Sequence, residues 1–344
     1  MRNKTIAAAM TIGVVAWSAC STGKDVLDFD DGVLDAALPS DGGVLLDAAP
    51  SFDAQTLGDG GARADAGASC PNFAAGVLTG RTPLVGITEA SGIAASRRNP
   101  GTLWIHNDSG AGPRVYALSM MGATLAIYDL GGASARDWED IAVGPGPVAG
   151  SSYLYVGDIG DNAESRTSID VYRVAEPDVK SGSPTTPSTL GGVERFTLTY
   201  PDRAHNAETL LVDPQNGDVY VVAKSSDGIS PMFRAAAPLK VGTTTLERVA
   251  VLRFGVAPLV GNRTTTGGDI SAAGDEIAIR SYDSAFLWHR APGVSIADAL
   301  AAAPCPIPLQ KELQGEALGF ASDGSGYYSV SEGSIQPIYF YARR

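Results

Sequence analysis

Apolar residues between positions 75 and 344 come in short runs, each closed by a turn sequence, and the pattern recurs along the chain. Five segments align: Glu89-Ala-Ser91-Gly-Ile93-Ala, Asp137-Trp-Glu139-Asp-Ile141-Ala, Asn206-Ala-Glu208-Thr-Leu210-Leu, Thr266-Gly-Gly268-Asp-Ile270-Ser and Gln314-Gly-Glu316-Ala-Leu318-Gly. Each leads through a reversal such as Asn99-Pro100-Gly101 or Asn216-Gly217-Asp218 into a second run: Leu103–Ile105, Tyr153–Val156, Val219–Val222, Ile277–Ile279 and Tyr327–Val330. Third runs follow, ending with Ile338–Tyr341, and fourth runs such as Leu125–Leu130 and Val249–Phe254 precede the next unit. Four short antiparallel strands recurring five times predict an all-β fold, a five-bladed β-propeller. A six-bladed ring, with strands hidden in the insertions at 180–192 or 256–266, is the alternative. Residues Gly76–Ile87 are expected to supply the outer strand of the last blade and close the ring.

The N-terminal part reads differently. Arg2 and Lys4 precede an apolar run from Ile6 to Trp17 and then Ser18-Ala19-Cys20, the layout of an export signal over residues 1–20. The run is too short to span a bilayer. Trp-Ser-Ala-Cys resembles the lipobox of bacterial lipoproteins, which implies lipidation of Cys20 and anchoring at the cell surface or periplasmic face; full secretion after cleavage near Ala19 is the alternative. Residues 21–69 are rich in Asp, Gly and Ala and keep no strand or helix period, so they predict a disordered tether before a propeller domain at 70–344. In an exported chain Cys70 and Cys305 are expected to form a disulfide that fixes the start of the domain.

Composition sharpens this picture. With 41 glycines, 21 prolines and 18% charged residues in 344, a helical bundle is disfavoured. The formal charge of −13 argues against nucleic acid as a partner. Most of the acidity is local: residues 24–68 hold ten Asp against Lys24 and Arg63.

The repeat also carries candidate chemistry. Residues two apart on a strand share a face, so Glu89 with Ser91, Asp137 with Glu139, Asn206 with Glu208, Thr266 with Gly268, and Gln314 with Glu316 are expected to converge on the central channel. Asp269 joins them if a bulge turns it inward. Crowded carboxylates call for a cation, and hard oxygen donors suit calcium, with Glu89, Ser91, Asp137, Glu139, Glu208, Asp269 and Glu316 as candidate ligands. His106, His205 and His289 do not have zinc-ligand spacing. Where the inner strand begins the second strand ends, so the same mouth should gather Asn107, Asp108, Asp158, Asp161, Asn162 and Glu332 beside Asn206 as ligand-binding groups. Lys224 and Arg280 lie there too, either clamping an anion or neutralising the acids. Gly157-Asp158-Ile-Gly160-Asp161-Asn162 has a composition that suits a calcium loop or a turn bonding its own backbone. Phosphate-loop, dinucleotide and His-Glu-x-x-His motifs are lacking, and Gly324-Ser325-Gly326 falls in a predicted hairpin turn.

The run from Asp137-Trp138-Glu139-Asp140 through Gly157-Asp158-Ile159-Gly160-Asp161-Asn162, with Gly315-Glu316-Ala317, resembles a group of exported bacterial propeller proteins without a settled activity. More distantly, Ser or Glu at the start of each inner strand resembles the five-bladed calcium-dependent apyrases. That resemblance implies Ser91, Glu139, Glu208 and Glu316 as calcium ligands, with a departure at Gly268. Two functions follow as expectations. The first is a monomeric, lipid-anchored module binding a small molecule or surface ligand at a calcium-holding mouth. The second is a calcium-dependent hydrolase of phosphate esters, nucleotides or lactones, with Glu139, Glu208, Lys224 and Arg280 as catalytic groups.

Overall fold

The computed structural model describes residues 69–180, 182 and 185–344. The expected export signal, Cys20 and all of the expected tether but Ser69 lie outside the described residues.

Among the described residues twenty-two strands form five sheets, and the inner strand of each sheet packs against the inner strands of its neighbours around a ring. These inner strands are Ala90–Ala95, Trp138–Pro145, Ala207–Val212, Thr265–Ile270 and Gly315–Phe320, one for each of blades one to five. The structure is therefore a five-bladed β-propeller. Each inner strand pairs antiparallel with the second run recognised in the sequence, and that run with the third. Blade five closes as expected: Val77–Arg81 pairs antiparallel with Pro337–Ala342, with Val77 opposite Phe340.

The two insertions do not build a sixth blade. Ser188–Leu190 runs parallel to Thr124–Leu130 and extends blade one, while in the insertion at 256–266 residues 256–264 form a turn with a single bridge between Val256 and Leu259, and Thr265 and Thr266 already belong to the next inner strand. A second such addition, Gly242–Thr245, runs parallel to Glu194–Thr199 at the edge of blade two. Both segments reach back to cover the edge of the preceding blade, which leaves less unpaired backbone exposed.

Every blade is sandwiched between two others, so both faces of its middle strands are apolar and the runs in the sequence are continuous, not alternating. Five separate cores fill the seams. Trp104, Trp138 and Tyr172 fill the one between blades one and two, and Phe254, Phe286 and Trp288 the one between three and four. Between four and five lie Phe73, Leu287, Phe320 and Tyr341, where Tyr327 stacks on Tyr341 at 4.5 Å. Burying one such side chain stabilises the fold by roughly 1.5–3 kcal/mol. Cys70 and Cys305 stand at disulfide distance, with Cα atoms 5.4 Å apart. This ties the entering chain to Cys305–Ile307, the outer strand of blade four. The one α-helix among the described residues, Ile296–Leu300, is capped by Ser295 and packs its apolar side into the seam beside Trp288.

Candidate functional site

The channel owes its chemistry to a bulge repeated in every blade. Pairing between the inner and second strands slips by one residue between Trp138 and Asp140, Ala207 and Thr209, Thr265 and Gly267, Gly315 and Ala317, and Ala90 and Ile93. The looped-out positions are Glu139, Glu208, Thr266, Glu316 and, in blade one, the Ser91-Gly92 step. A bulge leaves its residue unpaired and re-aims the side chain. All five side chains are buried, none more than 5% exposed. Ser91 Oγ donates to Glu139 O at 2.6 Å and to Glu139 Oε2 at 3.3 Å, and Thr266 Oγ1 donates to Gly315 O at 2.9 Å.

This register corrects the alignment of blade four. Thr266 stands where Glu139 stands in blade two, two positions away from the residue it was matched to, so the departure at Gly268 disappears. The ring position is filled by an oxygen-bearing side chain in all five blades. The bulge lies at Thr266 and does not involve Asp269, whose Oδ1 accepts from Ile270 N at 2.8 Å and Oδ2 from Phe320 N at 2.9 Å. Asp269 lies toward the other end of the channel, in a small cavity with Arg97.

Several mouth residues hold the strand entrances in place. Asn107 Oδ1 accepts from Thr88 N at 3.1 Å and Glu89 N at 3.2 Å, and its Nδ2 donates to Gly86 O. Asp158 does the same in blade two, accepting from Arg136 N and Asp137 N at 3.1 and 3.2 Å, and Ser331 in blade five accepts from Gln314 N at 3.0 Å. Asp158 also pairs with the buried Arg166 at 2.8 Å, while Asp161 accepts from Arg166 N at 2.6 Å. Asp161 N donates to Asn206 Oδ1 at 2.7 Å, and Asn206 Nδ2 reaches Asn162 Oδ1 at 3.3 Å, which joins the Gly157–Asn162 loop to blade three. Gly160 lies over the carboxylates: a Cβ there would stand 2.5 Å from Asp137 Oδ2 and closer still to Glu139 Oε1.

Three of the predicted residues come together at the mouth. Asp108, Asp137 and Glu139 each place one carboxylate oxygen within 4.8 Å of the others. Glu89 is exposed and Glu332 partly exposed on the rim, where Gln314 Nε2 donates to Glu332. Lys224 Nζ donates to Glu208 Oε1 at 2.5 Å and to Tyr282 OH at 2.8 Å. Arg280 is fully buried and its donors are committed: Nη1 meets Glu312 at 2.8 Å and Ala317 O at 3.0 Å, Nη2 donates to Tyr282 O and Nε to Ser281 O. It braces the seam between blades four and five.

Burial and crowding raise the proton affinity of six carboxyls at the mouth, those of Asp108, Asp137, Glu139, Glu208, Glu316 and Glu332. Burial and the nearby Glu208 push the Glu316 carboxyl up to about 9. Burial pushes Glu208 up to about 7, against the pull of Lys224, and Asp108 up to about 6. Burial, then Glu208, holds Glu139 well above the carboxylate range, and burial raises Asp137 and Glu332 as well. Glu316 Oε2 is buried and has no hydrogen-bond partner among the described residues.

One important residue escaped the sequence reading. Asp140, immediately after the bulge, is fully buried inside the channel; its Oδ1 accepts from Ile141 N at 2.8 Å, its Oδ2 from Leu210 N at 2.9 Å, and Gly268 N also donates to it. It therefore links the inner strands of blades two, three and four. The available signal was its size, because the matching positions are Gly92, Thr209, Gly267 and Ala317. Comparison with protein-family models finds no match for this chain, and comparison with curated proteins finds none either.

Proposed function

We propose that the protein is an exported, lipid-anchored binding module that takes a small polar ligand at the mouth of its channel, with a calcium ion held by the acidic ring. The observation that carries this reading is the convergence of the bulge side chains with Asp108 and Asp137. Buried like charges are poorly screened and repel unless protons or a cation neutralise them. The donors that converge, the carboxylates of Asp108, Asp137 and Glu139 with the Ser91 hydroxyl beside them, are oxygens, which fits a hard cation. The unpartnered Glu316 Oε2 is a further oxygen able to take part. A polar cleft of about 550 Å³ lies beside the mouth and includes Asn162, Asn206, Lys224, Ser225 and Thr264, donors and acceptors suited to a hydroxylated or anionic molecule.

Thermal melting of chelator-treated protein titrated with calcium tests this reading. A calcium concentration 100 times Kd should add about 2.7 kcal/mol of stability. No rise in melting temperature at millimolar calcium sinks the proposal. Mass spectrometry of the mature N-terminus tests the anchor, through a lipid on Cys20.

A hydrolase is the second reading, favoured by Glu208, poised near neutrality beside the Lys224 ammonium. Calcium-dependent turnover of nucleotides, phosphate esters or lactones, abolished by Glu208→Gln, would support it. Its absence across those substrates leaves the binding module.

A further inference from the structure

At the opposite end of the ring from the acidic mouth, a groove of about 600 Å³ opens between blades five and one. Its walls are apolar: Leu103, Met120, Met121, Tyr328 and Phe340, with the Tyr328 and Phe340 rings 4.8 Å apart. Met120 and Met121 are 45% and 73% exposed, so they add little to the core of the fold. Their backbone is nevertheless firmly set. Gly122 has φ of +84°, Ser119 Oγ accepts from Met121 N at 3.3 Å and Ala123 N at 3.1 Å, and a Cβ on Gly80 would collide with the Met121 backbone. The two side chains are thus held over the groove by a turn locked against the outer strand Val77–Arg81. Adaptable methionines beside aromatic rings suit an apolar ligand body.

Charge narrows the choice of ligand. Asp323 is the only charged residue among the described residues lining the groove. Its carboxylate accepts from Ser325 N at 3.0 Å and Ser325 Oγ at 2.5 Å, bonds that favour the ionised form. Arg343, whose Nε reaches Gly324 O on the same turn, is engaged elsewhere, by Glu276 and the Phe73 ring. A rim with one anion and no lining cation disfavours anionic amphiphiles.

We propose that this groove is a second binding site, independent of the channel mouth, for a small amphiphile with an aromatic or branched apolar body and a single cationic amine. The body lies across Met120, Met121 and the Tyr328–Phe340 pair, and the amine faces Asp323.

Methyl-labelled methionine spectra of the intact protein test this with three probes that share a naphthylethyl body: naphthylethylamine, naphthylethanol and naphthylpropionate. The amine should shift the Met120 and Met121 methyls saturably, leave the core methyl of Met232 in place, and bind about fivefold tighter than the acid, as one rim ion pair allows. Asp323→Asn should abolish that preference, and Met121→Gln, a substitution at an exposed position, should weaken all three probes. The proposal is overturned if neither methyl moves saturably up to the solubility limit, if the acid binds as well as the amine, or if Asp323→Asn keeps the preference. Concentration-dependent shifts without any probe would also overturn it, assigning the groove to a second copy of the chain.

Discussion

Replacing Glu316 with Gln should change the slope of stability against pH. Burial and Glu208 push this carboxyl up to about 9, from 4.5 in an unperturbed glutamate. The folded protein therefore keeps a proton that the unfolded chain releases, and raising the pH between those values favours unfolding. The contribution is complete below the unfolded value and is lost as pH rises toward the folded one. Buried His106, pushed down to about 4, acts in the opposite direction, but only below its unfolded value of 6.5. The interval from about pH 6.5 to 8.5 is free of that opposition, and two pH units there correspond to about 2.7 kcal/mol. For a domain of this size that is a fall of about 5–10 °C in melting temperature. Scanning calorimetry in chelator should show at least this fall in the parent and, in Glu316→Gln, a slope smaller by this one proton's share, because Glu139, also held well above the carboxylate range, keeps its own. Calcium should flatten the parent as well, because a cation binds the deprotonated carboxylates and displaces the proton. A parent whose melting temperature holds or rises over this interval in chelator would refute the reasoning, as would a Glu316→Gln variant with the parental slope.

Other changes have equally definite outcomes. Asp140→Ala leaves the buried N–H groups of Ile141, Leu210 and Gly268 without an acceptor, at about 1–3 kcal/mol each; Asp140→Asn, which keeps one oxygen, should cost about half as much in urea denaturation. Gly160→Ala drives a methyl group into the Asp137 and Glu139 carboxylates, and calorimetric titration should find calcium affinity reduced by about tenfold, with a loss below about 1 kcal/mol in chelator. Removing the Cys70–Cys305 link by paired Ser substitutions frees a loop with a sequence separation of 235, and should lower stability by about 2–5 kcal/mol.

The blades were legible because each strand's apolar run is bounded by its own turn residues, so the repeat survives in the letters. Ser188–Leu190 and Gly242–Thr245 were not, since an edge strand of three or four residues paired to another blade has no face of its own to pattern. In the site, Ser91, Glu139, Glu208 and Glu316 could be aligned because they share one place in the repeat. Thr266 was misread because a bulge breaks the period of two, and two glycines after it offered a false match. Asn107, Asp158 and Arg280 show a different limit: a polar letter at a strand end looks the same whether its side chain meets ligand, solvent or buried backbone. The hydrogen bonds of Asp140 depend on strands about 70 and 128 residues away in the chain, a relation that only the closed ring creates.

That closure also dictates an order of events. Blades one to four are built mainly from neighbouring stretches and can fold as the chain emerges, whereas blade five must wait for Pro337–Ala342 to meet Val77–Arg81. The slowest contact to form is thus the one made across the greatest length of chain, since loop closure must be completed before that pairing contributes stability. Until then the seams flanking the gap lie open, with Tyr341 and Phe73 unburied on one side and Ile93 on the other. A nascent chain stalled before residue 337 should accordingly be sensitive to protease throughout this region and prone to join another copy through the waiting strand.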